Sequence, residues 1–297
     1  MRLLIAGWHG QIARALVELA PGRPDVTALS IGRPALDLCS PSTIRSTLVE
    51  AQPDIMINTA AYTAVDQAER EPEAVSQLNS VGAGTFAEIA AKRDIPVLHL
   101  STEYVFDGTK DSPYTEDDDP APQSVYGRTK LDGERAVAEI NPKHVILRTT
   151  WVYSPFGRNF VKTMLKLAGE RDEIDVVDDQ IGCPTYAPHL ADAILDIASR
   201  IAADREFAPW GTYHAASSGG VSWCDFARRV VEVSRGLDGP SAKIKPISSA
   251  DYPTTAPRLD NARLDSTKLT RTFGIKLPSW TDGVDQCVGR LLAAGKD

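Results

Sequence analysis

Tyr126 and Lys130 stand four positions apart in Tyr126-Gly-Arg-Thr-Lys130, and Ser101-Thr102 lies upstream of them. On a helix, residues at this spacing share one face, so a phenol and an ammonium come within reach of each other. A phenol ordinarily keeps its proton to pH ~10 and is a poor acid–base catalyst near neutrality. A lysine charge beside it favours the phenolate and moves that pKa toward the working range. A threonine hydroxyl from a neighbouring strand end can then hydrogen-bond a substrate carbonyl. Thr102, Tyr126 and Lys130 together therefore have the chemistry of proton delivery to a reacting oxygen. Tyrosine and lysine also meet at this spacing on ordinary solvated helices, so the set gains meaning only from the elements around it.

Gly7-Trp-His-Gly10-Gln-Ile-Ala13 supplies the first such element. It follows the apolar run Arg2–Ala6, which predicts a buried strand, and opens a helix over Gln11–Leu19. Gly7 permits a tight turn, Gly10 lets a pyrophosphate approach the backbone, and small Ala13 allows close packing of helix on strand. The helix N-terminus offers N–H groups to the anion. A plain glycine turn is the simpler reading, but its position favours a dinucleotide. A second strand over 26–31 ends in Ser30-Ile31-Gly32-Arg33, with no acid to hold a ribose 2′-hydroxyl. Arg33 is suited to a 2′-phosphate, so NADPH is expected ahead of NADH, unless Arg33 is only a solvated loop residue. Asn58-Thr59-Ala60-Ala61-Tyr62 ends a third strand over 54–58. Its alanines let backbone run beside a cofactor, or equally let a helix pack closely on the sheet.

Helices over 41–51 (with Ser40 as N-cap), 72–93 and 124–139 alternate with strands over 96–100 and 144–148. This order predicts an α/β fold, a Rossmann-type doubly wound parallel sheet that binds ligands at its strands' carboxyl ends. Beyond Trp151 the pattern loosens into helices over 160–170, 187–203 and 222–235 and a strand over 211–215. A tail rich in Pro, Ser and Thr follows over 241–278, with a last helix over 280–293. Residues 1–150 are expected to form the NAD(P)-binding domain. Residues 151–297 are expected to form mainly a smaller C-terminal substrate-binding lobe, with a helix–strand pair near 187–215 returning to the sheet.

The composition removes several other classes. A net charge of −8 over 297 residues, without a dense Lys/Arg run, argues against a nucleic-acid partner. No apolar stretch approaches the ~18–20 residues of a membrane span, and Leu3–Ala6 is too short for a signal peptide. Cys39, Cys183, Cys224 and Cys287 form no C-x-x-C pair, which suggests reduced thiols and a cytoplasmic location. None of the five histidines sits at metal-ligand spacing, and no metal is expected.

Taken in order, the motifs resemble the extended, sugar-nucleotide branch of the short-chain dehydrogenase/reductase superfamily, and within it the dTDP-4-dehydrorhamnose reductase family. The resemblance runs through Gly7-x-x-Gly10-Gln11, Asn58-Thr-Ala-Ala-Tyr-Thr-Ala-Val-Asp66-x-Ala-Glu69 and Ser101-Thr102-Glu103-Tyr104-Val105-Phe106-Asp107-Gly108. It continues through Tyr126-Gly-x-Thr-Lys130-Leu-x-Gly-Glu134, Arg148-Thr-x-Trp151-Val-Tyr153, Asn159-Phe160, Asp179-Gln180-x-Gly182-x-Pro184-Thr185 and Tyr252-Pro253-Thr254. It implies hydride transfer from NAD(P)H to the C4 ketone of dTDP-4-dehydro-6-deoxy-L-mannose, with Tyr126 as proton donor. Lys130 would lower the Tyr126 pKa and bind the nicotinamide ribose, and Thr102 would hold the carbonyl oxygen.

The same resemblance implies a cofactor set of Gly7, Gly10, Gln11, Ile12, Ser30, Arg33, Asp37, Leu38, Ala60, Ala61 and Tyr62, together with Tyr126 and Lys130. The dTDP-linked 4-keto-6-deoxy sugar would meet Thr102, Glu103, Tyr104, Tyr126, Trp151, Gln180, Thr185 and Arg258. Trp151 would cover the apolar face of the sugar, or else be a core residue; Arg258 would bind the diphosphate, or else be an exposed loop residue. Glu103 departs from the family's usual Asp, Ala13 from its usual Gly, and Arg258-Leu-Asp-Asn261 lacks a common proline. Ala15 stands where some relatives carry an acidic metal ligand at a dimer contact. Whether the chain is a monomer or a homodimer stays open. Another epimerase or ketoreductase of the superfamily, and a non-catalytic nucleotide-binding regulatory subunit, are the alternative readings.

Overall fold

A computed structural model describes residues 1–204 and 206–294. The N-terminal half alternates β1 (Arg2–Ala6), α1 (Gln11–Leu19), β2 (Thr27–Ile31), α2 (Pro41–Ala51) and β3 (Ile55–Asn58). A short α3 (Val65–Ala68) leads to α4 (Pro72–Ser76) and α5 (Ala83–Ala91), then β4 (Val97–Thr102), α6 (Val125–Ile140) and β5 (His144–Thr149). Further on come β6 (Val152–Tyr153), α7 (Phe160–Glu170), β7 (Glu173–Val177), β8 (Ile181–Gly182), β9 (Thr185–Tyr186), α8 (Ala187–Ala203) and β10 (Gly211–His214). The C-terminal part adds β11 (Val221–Ser222), α9 (Trp223–Gly236), β12 (Lys243–Ile247), β13 (Asn261–Ala262), α10 (Thr267–Phe273) and α11 (Trp280–Ala294).

Six strands form one sheet in the order β10-β5-β4-β3-β1-β2, and every neighbouring pair is parallel. Strands buried on both faces read as continuous apolar runs, and β1 illustrates the rule. Leu3 and Ile5 join a core with Leu16 of α1 and Leu190, Ile194 and Ile197 of α8. Leu4 and Ala6 join the opposite core, with Ile44 and Leu48 of α2, Phe86 of α5 and Val137 of α6. The result is the expected three-layer α/β arrangement. Being parallel, all six strands deliver their carboxyl ends to one edge, where Gly7, Thr59 and Thr102 emerge.

A separate hydrophobic cluster gathers Val161 and Met164 of α7, Phe226 and Val230 of α9, Val284 and Val288 of α11, and Ile174 of β7. The Pro/Ser/Thr-rich tail holds more order than its composition suggests, because β12 pairs with β7 and β13 with β8. The single helix expected over 72–93 is interrupted by a π-helical segment, Gln77–Gly82. That wider turn puts the Asn79 amide against the main chain of Tyr62, which it holds through both N–H and C=O, and against Thr129 of α6. Ser40 precedes α2, but its hydroxyl meets Ser42 Oγ and caps no backbone N–H.

Candidate active site

Thr102 ends β4, and the one-turn helix Glu103–Val105 begins immediately after it. Tyr126 and Lys130 lie in the first half of α6, whose start is fixed twice. Ser124 Oγ accepts from Gly127 N–H at 3.0 Å, and Glu69 Oε1 accepts from Val125 N–H at 2.7 Å. Gly127 is obligatory, because any Cβ there would collide with the Tyr104 carbonyl. Helix and strand end are thereby pressed together, and Thr102, Glu103, Tyr126 and Lys130 all become buried.

Inside this enclosure the Thr102 hydroxyl donates to Glu103 Oε2 at 2.7 Å. The Tyr126 ring packs edge-on against Tyr104, with centroids 5.5 Å apart. Burial raises the Tyr126 pKa, Glu103 and Tyr104 raise it further, and Thr102 draws it back. Here the geometry differs from the expectation that the Lys130 charge governs the phenol. The Lys130 Nζ is committed elsewhere, donating to the Leu100 carbonyl at 2.6 Å and lying 3.4 Å from His99 Nε2. The phenol is thus a firmly protonated donor.

Beside it, the glycine turn fits a dinucleotide. Gly7 has φ +111°, and a Cβ there would strike Thr59 Oγ1. Gly10 faces open space and caps α1 with no side chain, so the first-turn N–H groups point outward uncovered. The other expected cofactor residues sort unevenly. Ala60 and Ala61 follow β3 at the same edge, and Arg33 is exposed after β2. Ile12 packs against the α1/α8 core, and Ser30 Oγ donates to the Gly7 carbonyl, tying the turn together. Gln11 reaches the other way, accepting from Ser154 Oγ and Asn159 Nδ2 and donating to the Val152 carbonyl. Tyr62 sends its hydroxyl to Glu71. Asp37 accepts from Cys39 N–H within its own loop, and Leu38 is a core residue.

The residues expected to meet a sugar are similarly divided. Thr102, Glu103, Tyr104 and Tyr126 are gathered together. Trp151, in the left-handed region at φ +45°, stacks on Trp223 with centroids 3.5 Å apart, so one face of its indole is covered by protein. Gly182 approaches the same ring too closely to carry a Cβ. Gln180 is buried in the turn before β8. The Thr185 hydroxyl serves the protein itself, donating to the Cys183 carbonyl and accepting from Ser217 N–H. Arg258 pairs with Asp66 at 2.5 Å, and Asp66 also accepts from Ala256 N–H. The 256–258 strand of loop is thereby strapped to α3.

Residues 1–293 match the family model described as the RmlD substrate binding domain. The chain belongs to the RmlD substrate-binding-domain family. A dTDP-4-dehydrorhamnose reductase of Sinorhizobium fredii is 50% identical over 297 residues, covering 100% of both chains. The crystal structure of a dTDP-4-dehydrorhamnose reductase from Clostridium acetobutylicum superposes with a TM-score of 0.90 at 34% identity, over 98% of this chain and 100% of that one. That of the Bacillus anthracis dTDP-4-dehydrorhamnose reductase in complex with NADP gives 0.89 at 33%, over 97% and 99%.

The sequence motifs gave no role to several residues that hold this site of the RmlD-family chain together. Asp66 and Glu69 are the fasteners of the 256–258 loop and of α6, while Asn58 meets His99, which lies against Lys130 from behind. Their i-to-j separations are long, and side-chain periodicity carries no signal for such contacts. Among the described residues, no three His, Cys, Asp or Glu side chains gather as metal ligands, and no helix is long and apolar enough to cross a membrane.

The burial of Glu103 carries a measurable consequence. Burial raises its pKa from 4.5 to about 7, against the opposing hydrogen bond from Thr102. A carboxyl with a raised native pKa binds more protons folded than unfolded between these values. Stability therefore falls as pH rises through that window, and the loss is complete above pH ~7. At about 1.4 kcal/mol per unit, the rise from 4.5 to about 7 amounts to about 3 kcal/mol. Urea unfolding of native protein and Glu103→Gln is expected to give a difference that grows by about this amount, in favour of the variant, between pH ~4.5 and ~8. A difference independent of pH would remove the buried-carboxyl assignment.

Proposed function

We propose that this chain reduces the C4 ketone of dTDP-4-dehydro-6-deoxy-L-mannose to dTDP-L-rhamnose, with NADPH as the hydride donor. The observation that carries the reading is the burial of a protonated Tyr126 phenol beside the Thr102 hydroxyl, at the strand edge that also presents the glycine turn. Full-length relatives named as this reductase, one of them in complex with NADP, support the same conclusion.

In this reading Thr102 hydrogen-bonds the substrate carbonyl, and Tyr126 gives its proton to the oxygen as negative charge develops there. Donors fixed toward that charge before reaction are the main source of rate in such a step. The nicotinamide supplies the hydride. Gly7, Gly10 and the α1 N-terminus hold the pyrophosphate, and Ala60 and Ala61 leave room beside it. Residues 1–150, with α8 and β10, form the cofactor-binding part, and 151–297 mainly the sugar-nucleotide lobe. We propose the cytoplasm as its compartment, where four free cysteines stay reduced.

Supplying the 4-keto-L-sugar nucleotide with NADPH is expected to oxidise one cofactor per product alcohol. Saturable NADPH binding without oxidation would instead mark a regulatory subunit. Arg33→Ala is expected to raise the KM for NADPH by roughly tenfold or more, the effect of one charge-assisted hydrogen bond, and to leave NADH nearly unchanged. Equal effects on both cofactors would discard Arg33 as the 2′-phosphate partner.

A further inference from the structure

Lys130 is approached from behind by a chain of three groups whose hydrogen-bond directions are all fixed. Ala60 N–H donates to Asn58 Oδ1 at 3.1 Å. The Asn58 amide oxygen is thereby assigned, and it is the amide nitrogen that lies 3.1 Å from His99 Nδ1. An amide nitrogen only donates, so Nδ1 must offer its lone pair. The ring is neutral, because full burial, then the neighbouring Lys130 and His144, hold its pKa well below the usual histidine value. A neutral imidazole accepting at Nδ1 carries its proton on Nε2. That N–H faces Lys130 Nζ at 3.4 Å. Asn58, His99 and Lys130 are each at most 2% exposed, so bulk solvent does not compete for these contacts.

An ammonium has donors and no acceptor, whereas an amine has one lone pair. Against a fixed N–H, the charged form of Lys130 meets a donor with a donor, and the amine meets it with a hydrogen bond. Of the two amine N–H groups, one donates to the Leu100 carbonyl at 2.6 Å. We propose that Asn58 and His99 are positioning residues that hold an Nε2–H against Lys130 and favour the amine left once Lys130 has given up a proton. The inference rests on the reduction proposed above. There, the Tyr126 O–H breaks as the alcohol O–H forms, and the phenolate regains a proton from the Lys130 ammonium by way of an intervening hydroxyl or water, since Lys130 Nζ itself rests against the Leu100 carbonyl. Solvent then restores that proton, so one proton is consumed for each hydride transferred.

The surrounding groups agree with this role. Burial lowers the Lys130 pKa from 10.5 to about 8, and Glu134 on α6 opposes the shift. Glu134 is itself claimed by Arg148 of β5 at 2.7 Å, which weakens its hold on the lysine charge. Tyr126 lies one turn before Lys130 on the same helix, and His144 acts on His99 from β5.

The test begins with the cofactor-free protein. Nitrogen NMR of labelled histidine, assigned by His99→Gln, is expected to show His99 as the Nε2–H tautomer. In Asn58→Asp a carboxylate can accept from both Ala60 N–H and His99 Nδ1–H, which turns the Nε2 lone pair toward Lys130. In His99→Gln a carbonyl can accept from the ammonium. Both variants are expected to move the alkaline limb of kcat upward by about one pH unit, with KM values nearly unchanged. NMR titration of Lys130, assigned with Lys130→Arg, is expected to move with it. An Nδ1–H tautomer in the native protein, or a Lys130 titration unmoved in whichever variant folds, overturns the proposal. Absence of any sugar reduction by the native protein would strike the parent reading alone, since the tautomer and the lysine titration are read without substrate.

Discussion

Tyr126→Phe is expected to lower kcat by ~10²–10⁴-fold, the range for loss of a general acid, with cofactor affinity nearly unchanged. The substitution removes only an oxygen. The ring keeps its edge-on contact with Tyr104 and its packing against Ala68 and Val75, and the backbone start of α6 stays capped by Ser124 and Glu69. Loss of rate therefore reports on the proton and not on the fold. The raised pKa makes a second, separable demand. Because burial holds the phenol protonated, turnover in the reducing direction should show no limb from Tyr126 ionisation anywhere below pH ~10. Thr102 cannot take over readily, since an aliphatic hydroxyl is a far weaker acid than a phenol. Nearly full activity in Tyr126→Phe would remove the acid assignment altogether.

How much of this was legible in the sequence differs sharply between backbone and side chains. The parallel sheet followed from apolar runs such as Leu3–Ala6 and Val145–Leu147, because strands covered on both faces have few other compositions open to them. The glycine turn and Tyr126-x-x-x-Lys130 were readable because each is a local geometry, one set by φ and the other by helical period. Lys130 marks where local reading fails. Spacing places its ammonium near the Tyr126 phenol, but its closest partner is a main-chain carbonyl, Leu100, which no side-chain pattern records. Trp151 is a second case, since its stacking on Trp223 joins residues that only the folded lobe brings together. The π-helical turn at Gln77–Gly82 is a third: tertiary contacts made by Asn79 override a sequence that reads as one continuous helix.

Arg148→Met is expected to cost about 3–5 kcal/mol of stability, the largest loss foreseen for a single site outside the catalytic group. Arg148 Nη2 and Nε both donate to the Glu134 carboxylate, at 2.7 and 3.0 Å, and both side chains are less than a tenth exposed. The pair fastens α6 to β5 one turn beyond Lys130, so it holds the helix that carries both candidate proton-transfer groups. Taking two charges out of water is costly, and the pair can return that cost only while both partners remain. Removing Arg148 alone leaves Glu134 buried and uncompensated, and frees its field to act on Lys130. The double variant Arg148→Met/Glu134→Leu discards both desolvation costs and is expected to recover most of the loss in chemical denaturation. Its catalytic proton transfer should recover less, because Glu134 also opposes the fall of the Lys130 pKa. A single variant within about 1 kcal/mol of the native protein would mean that the carboxylate finds water when unpaired, and α6 would then owe its position to Gly127 and Glu69 instead.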